Sequence, residues 1–203
     1  MKELLVRTSA SPGAAGPALR RLYLVRFAFA IAWAALLVVS GGAIGAVTAV
    51  LVVLYPLFDA GAAAVDLRSS SASSTRGLYG NIAISLLAAI GLGVALTSGI
   101  PAVLRVWGAW AVVAGLIQLA VAATRRSLGG QWPMILSGGV SVLAGTGFVL
   151  MASGPNPALT GVAGYAALGG IFFLASALRL GRKHMPRRSR TRSTLCASTR
   201  RNA

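Results

Sequence analysis

Apolar residues run along this chain in six blocks, separated by short stretches of polar or small residues. The blocks lie at about 22–40, 44–66, 79–97, 101–123, 133–152 and 158–180, and the first has YLVRFAFAIAWAALLVVS at its heart. Each is close to the roughly 20 residues that a helix needs to cross a bilayer core. A helix closes its backbone hydrogen bonds internally, as lipid demands. The pattern therefore predicts an all-α, polytopic membrane protein with six transmembrane helices. Residues 1–21, rich in Ala, Ser, Gly and Pro, read as a flexible arm, and 181–203 as a disordered basic tail.

The blocks pair, and the pairs repeat. Gly45, Gly99 and Gly154 lie at or near the turns within the pairs, and Gly61, Gly115 and Gly170 each follow sixteen residues later. The steps between copies are 54 and 55 residues, and Gly91 and Gly93 recur 54 residues on as Gly145 and Gly147. SGIPAVL (98–104) is echoed by SGPNPAL (153–159). Self-similarity at a fixed period signals one supersecondary unit used several times. The unit predicted here is a helical hairpin in three copies. Lipid gives helices no hydrophobic reason to touch, so small residues that permit close approach carry the packing. Gly61, Gly91, Gly115, Gly145 and Gly170 are the predicted packing glycines, and Ser137, Ser141 and Gly145 form one small-xxx-small stripe.

Composition agrees with a lipid solvent. The 203 residues are 56% hydrophobic and 11% charged, where soluble domains carry roughly 25% charged residues. The acids are Glu3, Asp59 and Asp66. Cys196 is alone, so no intrachain disulfide is possible, and His184 is alone in the basic tail.

The formal charge of +16 first suggests a nucleic-acid partner. Its distribution argues otherwise. Lys2, Arg7, Arg20 and Arg21 sit in the arm, Arg68, Arg76, Arg125 and Arg126 between the pairs, and eight basic residues in 181–203. The turns within pairs, near 41–45, 97–101 and 153–157, have none. Positive loops stay cytoplasmic. The chain is thus predicted to hold both termini inside, in a bacterial cytoplasmic membrane. The tail has no aromatic residue for stacking and no folded reader motif, so no specific nucleic acid is expected. Anionic lipid is the expected partner of the tail, beside the bilayer itself and a possible homo-oligomer or membrane partner. RRLYLVRFAFAIAWAA resembles the start of an export signal, but five further blocks follow it.

Ionisable groups inside a membrane are costly and each needs an account. Arg179 ends the sixth block, and Arg105 sits four residues past Pro101, where it can snorkel outward. Asp59 lies nine residues before Arg68, so about 13 Å deep at 1.5 Å per residue. Asp59 and Asp66 are seven apart and share a helix face. Arg26 enters from the same side on the partner helix, and can pair with either. Arg26, Asp59 and Asp66 form the candidate intramembrane polar site. Asp59 is either a neutral, hydrogen-bonded carboxyl or a proton-titrating one.

No catalytic set is present in the spans. The one His lies in the tail, no Cys/His pair falls in a block, and GLG (91–93) and GTG (145–147) follow no strand. The chain reads as non-catalytic, without metal or cofactor.

Several motifs bear a family stamp. AVVAGLIQLAVAATRRS (111–127), LFDAGAAAVDLRSS (57–70) and ALGGIFFLASALRLGR (167–182) each take a small-Gly step, an apolar run and then basic residues. With the three hairpin repeats, they resemble the HdeD-like bacterial acid-resistance membrane proteins over about 22–182. The resemblance implies a cytoplasmic-membrane protein of the acid-stress response, acting by packing or by lipid and partner contact. The long basic tail and Asp59 within the second span depart from that pattern. The competing reading is a small transporter or proton path through Asp59. One geometric feature separates the two: whether Asp59 and Gln118 face one internal cavity.

Overall fold

The computed structural model describes residues 15–69, 72–124 and 132–183. Among these, every regular element is helical: α1 (Ala15–Val39), α2 (Ala46–Ser69), α3 (Ala72–Ala95), α4 (Ile100–Thr124), α5 (Trp132–Met151) and α6 (Thr160–Lys183). All six are long and apolar enough to cross a membrane, with mean hydropathy of 1.7 to 2.2 over their most apolar stretches. The protein is an integral, multi-pass membrane protein.

The helix ends follow local chemistry. α1 stops at Gly41 and Gly42, both with φ near +70°, a left-handed conformation that only glycine adopts freely. Ser40 Oγ donates to the Leu37 carbonyl and receives the Thr48 hydroxyl, which ties the start of α2 to the end of α1. A 3-10 turn, Leu96–Ser98, ends at Gly99 with φ +87°. Pro101 then sits in the first turn of α4, where its missing N–H costs nothing.

Three boundaries correct the expectation. α1 begins at Ala15, inside the stretch expected as a flexible arm; α3 begins at Ala72, seven residues before the block at 79. α6 continues to Lys183, into the stretch expected as a disordered tail. Hydropathy marks only the lipid-embedded part of a helix. Backbone hydrogen bonding runs on through Ala18, Leu19 and Arg20, all good helix formers, and Pro17 is tolerated in the first turn. The rest of the arm (1–14) and of the tail (184–203), with Arg125 and Arg126, lie outside the described residues.

The predicted hairpins are not the tight pairs. The most extensive packing joins α4 to α5, α1 to α6 and α2 to α3, while α1–α2 and α5–α6 touch much less. The glycines explain the first of these. A Cβ placed on Gly108 would meet the Gly145 carbonyl at 2.5 Å, and one on Gly115 would meet the Gly138 carbonyl at 2.6 Å. The reverse approaches are 2.5 Å and 2.9 Å, so backbone meets backbone at two levels seven residues apart. Gly170 packs on Ala30 and Phe27, and Gly91 on Val106. Gly61 differs from its expectation: it is exposed, and a Cβ there would meet nothing within 4 Å. Its copy in the repeat faces outward, so close approach was not needed.

The molecule is inside-out relative to a soluble domain. Leu87, Ile90, Val94, Leu143 and Leu150 are 67–75% exposed, as lipid-facing side chains should be. The packed apolar core lies toward the short-turn end. It comprises the last turns of α1 (Trp33, Leu37), α3 (Leu92) and α5 (Phe148) with the first turns of α2 (Val52), α4 (Leu104, Trp107) and α6 (Leu159, Val162). The opposite, terminal end holds both described chain ends, where Arg20 lies against Gly181.

Candidate functional site: a polar chamber within the helices

Arg26 lies near the middle of α1 and Asp59 near the middle of α2. The guanidinium Nη2 pairs with Asp59 Oδ1 and also reaches the Asp59 backbone carbonyl at 3.4 Å. Of the two predicted partners for Arg26, the structure brings in Asp59. Asp66 lies two turns further along α2, partly buried, and is not part of the cavity described below. Arg105 and Arg179 are exposed, in keeping with interfacial roles.

The second carboxylate oxygen of Asp59 accepts from Asn81 Nδ2 at 2.8 Å and from Ser85 Oγ at 2.9 Å. Asn81 and Ser85 are one turn apart on α3, so they share a face. Trp110 Nε1 of α4 donates to Ser85 Oγ at 3.3 Å and orients that hydroxyl from behind. The Arg26 guanidinium also lies over the Phe173 ring of α6, 4.6 Å from its centroid. Among the described residues, the half-buried Asp59 accepts from three side chains, and its bond from the Arg26 guanidinium is charge-assisted. Pro56, buried one turn earlier in α2, deletes a backbone donor from that helix just before the site.

This cluster borders a cavity of about 130 Å³. α4 contributes Trp110 and Gln118 to its wall, α5 Ser137 and Ser141, and α6 Tyr165. Tyr165 OH donates to Ser141 Oγ at 3.0 Å. Among the described residues, none donates a hydrogen bond to the buried Gln118 Oε1. A buried acceptor is costly to leave open, by about 1–3 kcal/mol, so a donor such as water is expected to reach it. With Arg26 included, all six helices reach the site.

The cavity spans the middle of the helices, beside the apolar core. Gln118 and Ser137 are six residues or fewer from the terminal-side ends of α4 and α5, and Tyr165 is five residues from the short-turn end of α6. Above it stand Trp33, Tyr55, Trp107 and Trp110, with neighbouring ring centroids 4.7 to 6.1 Å apart. The chamber is closed on the short-turn side by aromatic packing.

Asp59, Arg26 and Gln118 were visible in the sequence as polar residues within apolar blocks. Asn81 and Ser85 were missed. Their signal was an Asn with a Ser one turn later inside an apolar block, and it was masked by the many small residues around them. Among the described residues no group of His, Cys, Asp and Glu is placed to hold a metal.

Compared with known proteins, no family model, no curated protein and no solved structure matches this chain.

Proposed function

We propose that this membrane protein takes a small polar solute into a chamber at mid-membrane, as a small transporter caught open toward its terminal side. The observation that carries this reading is that Asp59 and Gln118 line one cavity. Polar groups converging at the membrane centre mark solute or proton routes, because their cost would otherwise select against them. The aromatic layer above the cavity is the barrier on the other side. Transport then requires Trp33, Tyr55, Trp107 and Trp110 to part.

The basic residues support a cytoplasmic position for both ends, so the chamber opens inward. The native Cys196, in the tail, is a ready reporter. A membrane-impermeant thiol reagent labels it only after the cells are opened; labelling of intact cells reverses the orientation. Anionic lipid held by the basic tail belongs to the same reading.

A second reading concerns setting. The resemblance to HdeD-like proteins supports a role in acid stress, with the Arg26–Asp59 pair as the candidate site. Survival after acid challenge in cells lacking the protein, restored with wild type or Asp59→Asn, tests this. Equal survival in all strains sinks the acid role and leaves the chamber untouched.

Transport itself is tested in proteoliposomes carrying the full chain. Wild type accelerates entry of a small polar solute, and Asp59→Asn slows it. Entry no faster than in empty vesicles, for every solute tried, rules the transporter out.

A further inference from the structure

The chamber reading leaves its ligand open, and the wall itself narrows the choice. Among the described residues that line the cavity, Asp59 alone carries a charge. Its charge is already matched by Arg26, which is 8% exposed and held in turn over Phe173. Both carboxylate oxygens are engaged, one by Arg26 and one by Asn81 and Ser85. A cation entering the cavity finds each carboxylate oxygen already engaged, and an anion finds no guanidinium among the described residues of the wall. Either would bring an unmatched charge into a low-dielectric space, where the cost is several kcal/mol or more. The site therefore selects against ions.

What the wall does offer is a hydrogen-bond acceptor and flat apolar surface. Gln118 Oε1 is buried without a donor among the described residues. Tyr55, Trp110, Tyr165 and Phe172 give the remaining wall its aromatic character. The space, about 130 Å³, is roughly four times the share of one water in the liquid, about 30 Å³. That suits a molecule of a few heavy atoms. We infer that the chamber takes small, electrically neutral solutes that donate hydrogen bonds, the class of ureas, short amides and short polyols, with the Gln118 amide, turned into the cavity, as the receiving group. This inference rests on the transporter reading above and specifies its substrate class.

The test is osmotic. The full chain is reconstituted into vesicles, and the rate of re-equilibration after a solute gradient is followed by light scattering. Urea, formamide and glycerol are the neutral probes; methylammonium chloride and sodium formate are the charged ones. Vesicles with wild type re-equilibrate faster than empty vesicles for the neutral probes and not for the charged ones. Gln118→Leu, close in volume and apolar, lowers the neutral-solute rate about tenfold, the effect of losing one buried hydrogen bond. Gln118→Asn keeps the amide on a shorter stem and retains part of the rate, which serves as the check if the Leu variant folds poorly. Leu87→Ala, on the lipid face, is the control with an unchanged rate. Acceleration confined to the charged probes, or a Gln118→Leu rate equal to wild type, overturns the inference and keeps the chamber. Acceleration of water alone also overturns it. No acceleration of any probe overturns the transporter reading itself.

Discussion

The two ends of this helix bundle are built from the same small and apolar residues, yet they solve different problems. The short-turn half is dry. Trp33, Leu37, Leu92, Leu104, Trp107 and Leu159 are each no more than 2% exposed and pack on one another. The terminal half carries Arg26, Asp59, Asn81 and Ser85 around a cavity. Close packing is worth most where no atoms are missing. The dry half therefore supplies rigidity, and the wet half accepts a cavity and a desolvated ion pair for the sake of a site. Function and stability are separated along the helix axis, not between helices.

The largest effect is expected where the wet half depends on a single partner. Arg26→Met leaves Asp59 buried with Asn81 and Ser85 but no cation. Removing one partner of a buried pair costs about 3–5 kcal/mol. The double variant Arg26→Met/Asp59→Leu removes both charges and regains most of that loss. Unfolding in mixed detergent micelles measures both. A single variant as stable as wild type would mean that the ion pair has no structural role, and the contrast between halves would lose its main support.

A smaller loss is expected at Ser85→Ala, which deletes one hydrogen bond to Asp59 and orphans the Trp110 indole N–H. Hydrogen bonds to charged groups contribute about 1.5–3 kcal/mol. The same unfolding assay, combined with solute entry, separates the two roles. Stability falls by about that amount and entry slows, because the carboxylate beside the cavity is less fixed.

One feature runs through both halves and so calibrates them. The α4–α5 contact is close at both Gly108–Gly145 in the dry half and Gly115–Gly138 in the wet half, all approaches being under 3.0 Å. Gly145→Ala and Gly115→Ala each force the helices apart, at about 1–3 kcal/mol. Gly61→Ala, facing open space, gains slightly from helix propensity, by up to about 1 kcal/mol. Thermal unfolding of the three variants checks the ordering. If Gly115→Ala is much milder than Gly145→Ala, the wet half yields where the dry half does not, and the cavity is deformable.

The sequence made the six spans legible because each spanning block is long and apolar, a signal set by bilayer thickness. It made Arg26 and Asp59 legible because charge inside such a block is rare. Two things were hidden. Which helices touch most closely depends on side-chain directions around each axis, and a glycine reads the same whether it faces a neighbour or lipid, as Gly115 and Gly61 show. The 54-residue recurrence marked both alike. Helix ends were also hidden, because Ala72 to Leu78 and Ala15 to Arg21 are helical outside the apolar blocks.

The smallest effect gives the sharpest contrast, since one substitution is expected to have opposite signs at two stacked rings. Trp33 and Trp107 lie with centroids 5.4 Å apart in the dry half. Trp33 Nε1 donates to the Leu51 carbonyl at 2.6 Å, while Trp107 Nε1 is buried without a partner among the described residues. Phenylalanine removes the indole N–H from either and leaves some space behind. At Trp33 it also removes a made hydrogen bond, so Trp33→Phe destabilises by about 1 kcal/mol from that loss, with the smaller ring adding to it. At Trp107 it relieves an unmet donor worth about 1–3 kcal/mol, which offsets the lost volume, so Trp107→Phe is near neutral or mildly stabilising. Equal destabilisation at both sites would show that Trp107 has a hydrogen-bond partner in the membrane. In the dry half only water or a solute passing the aromatic layer could provide one, and the barrier would then be wetter than its packing implies.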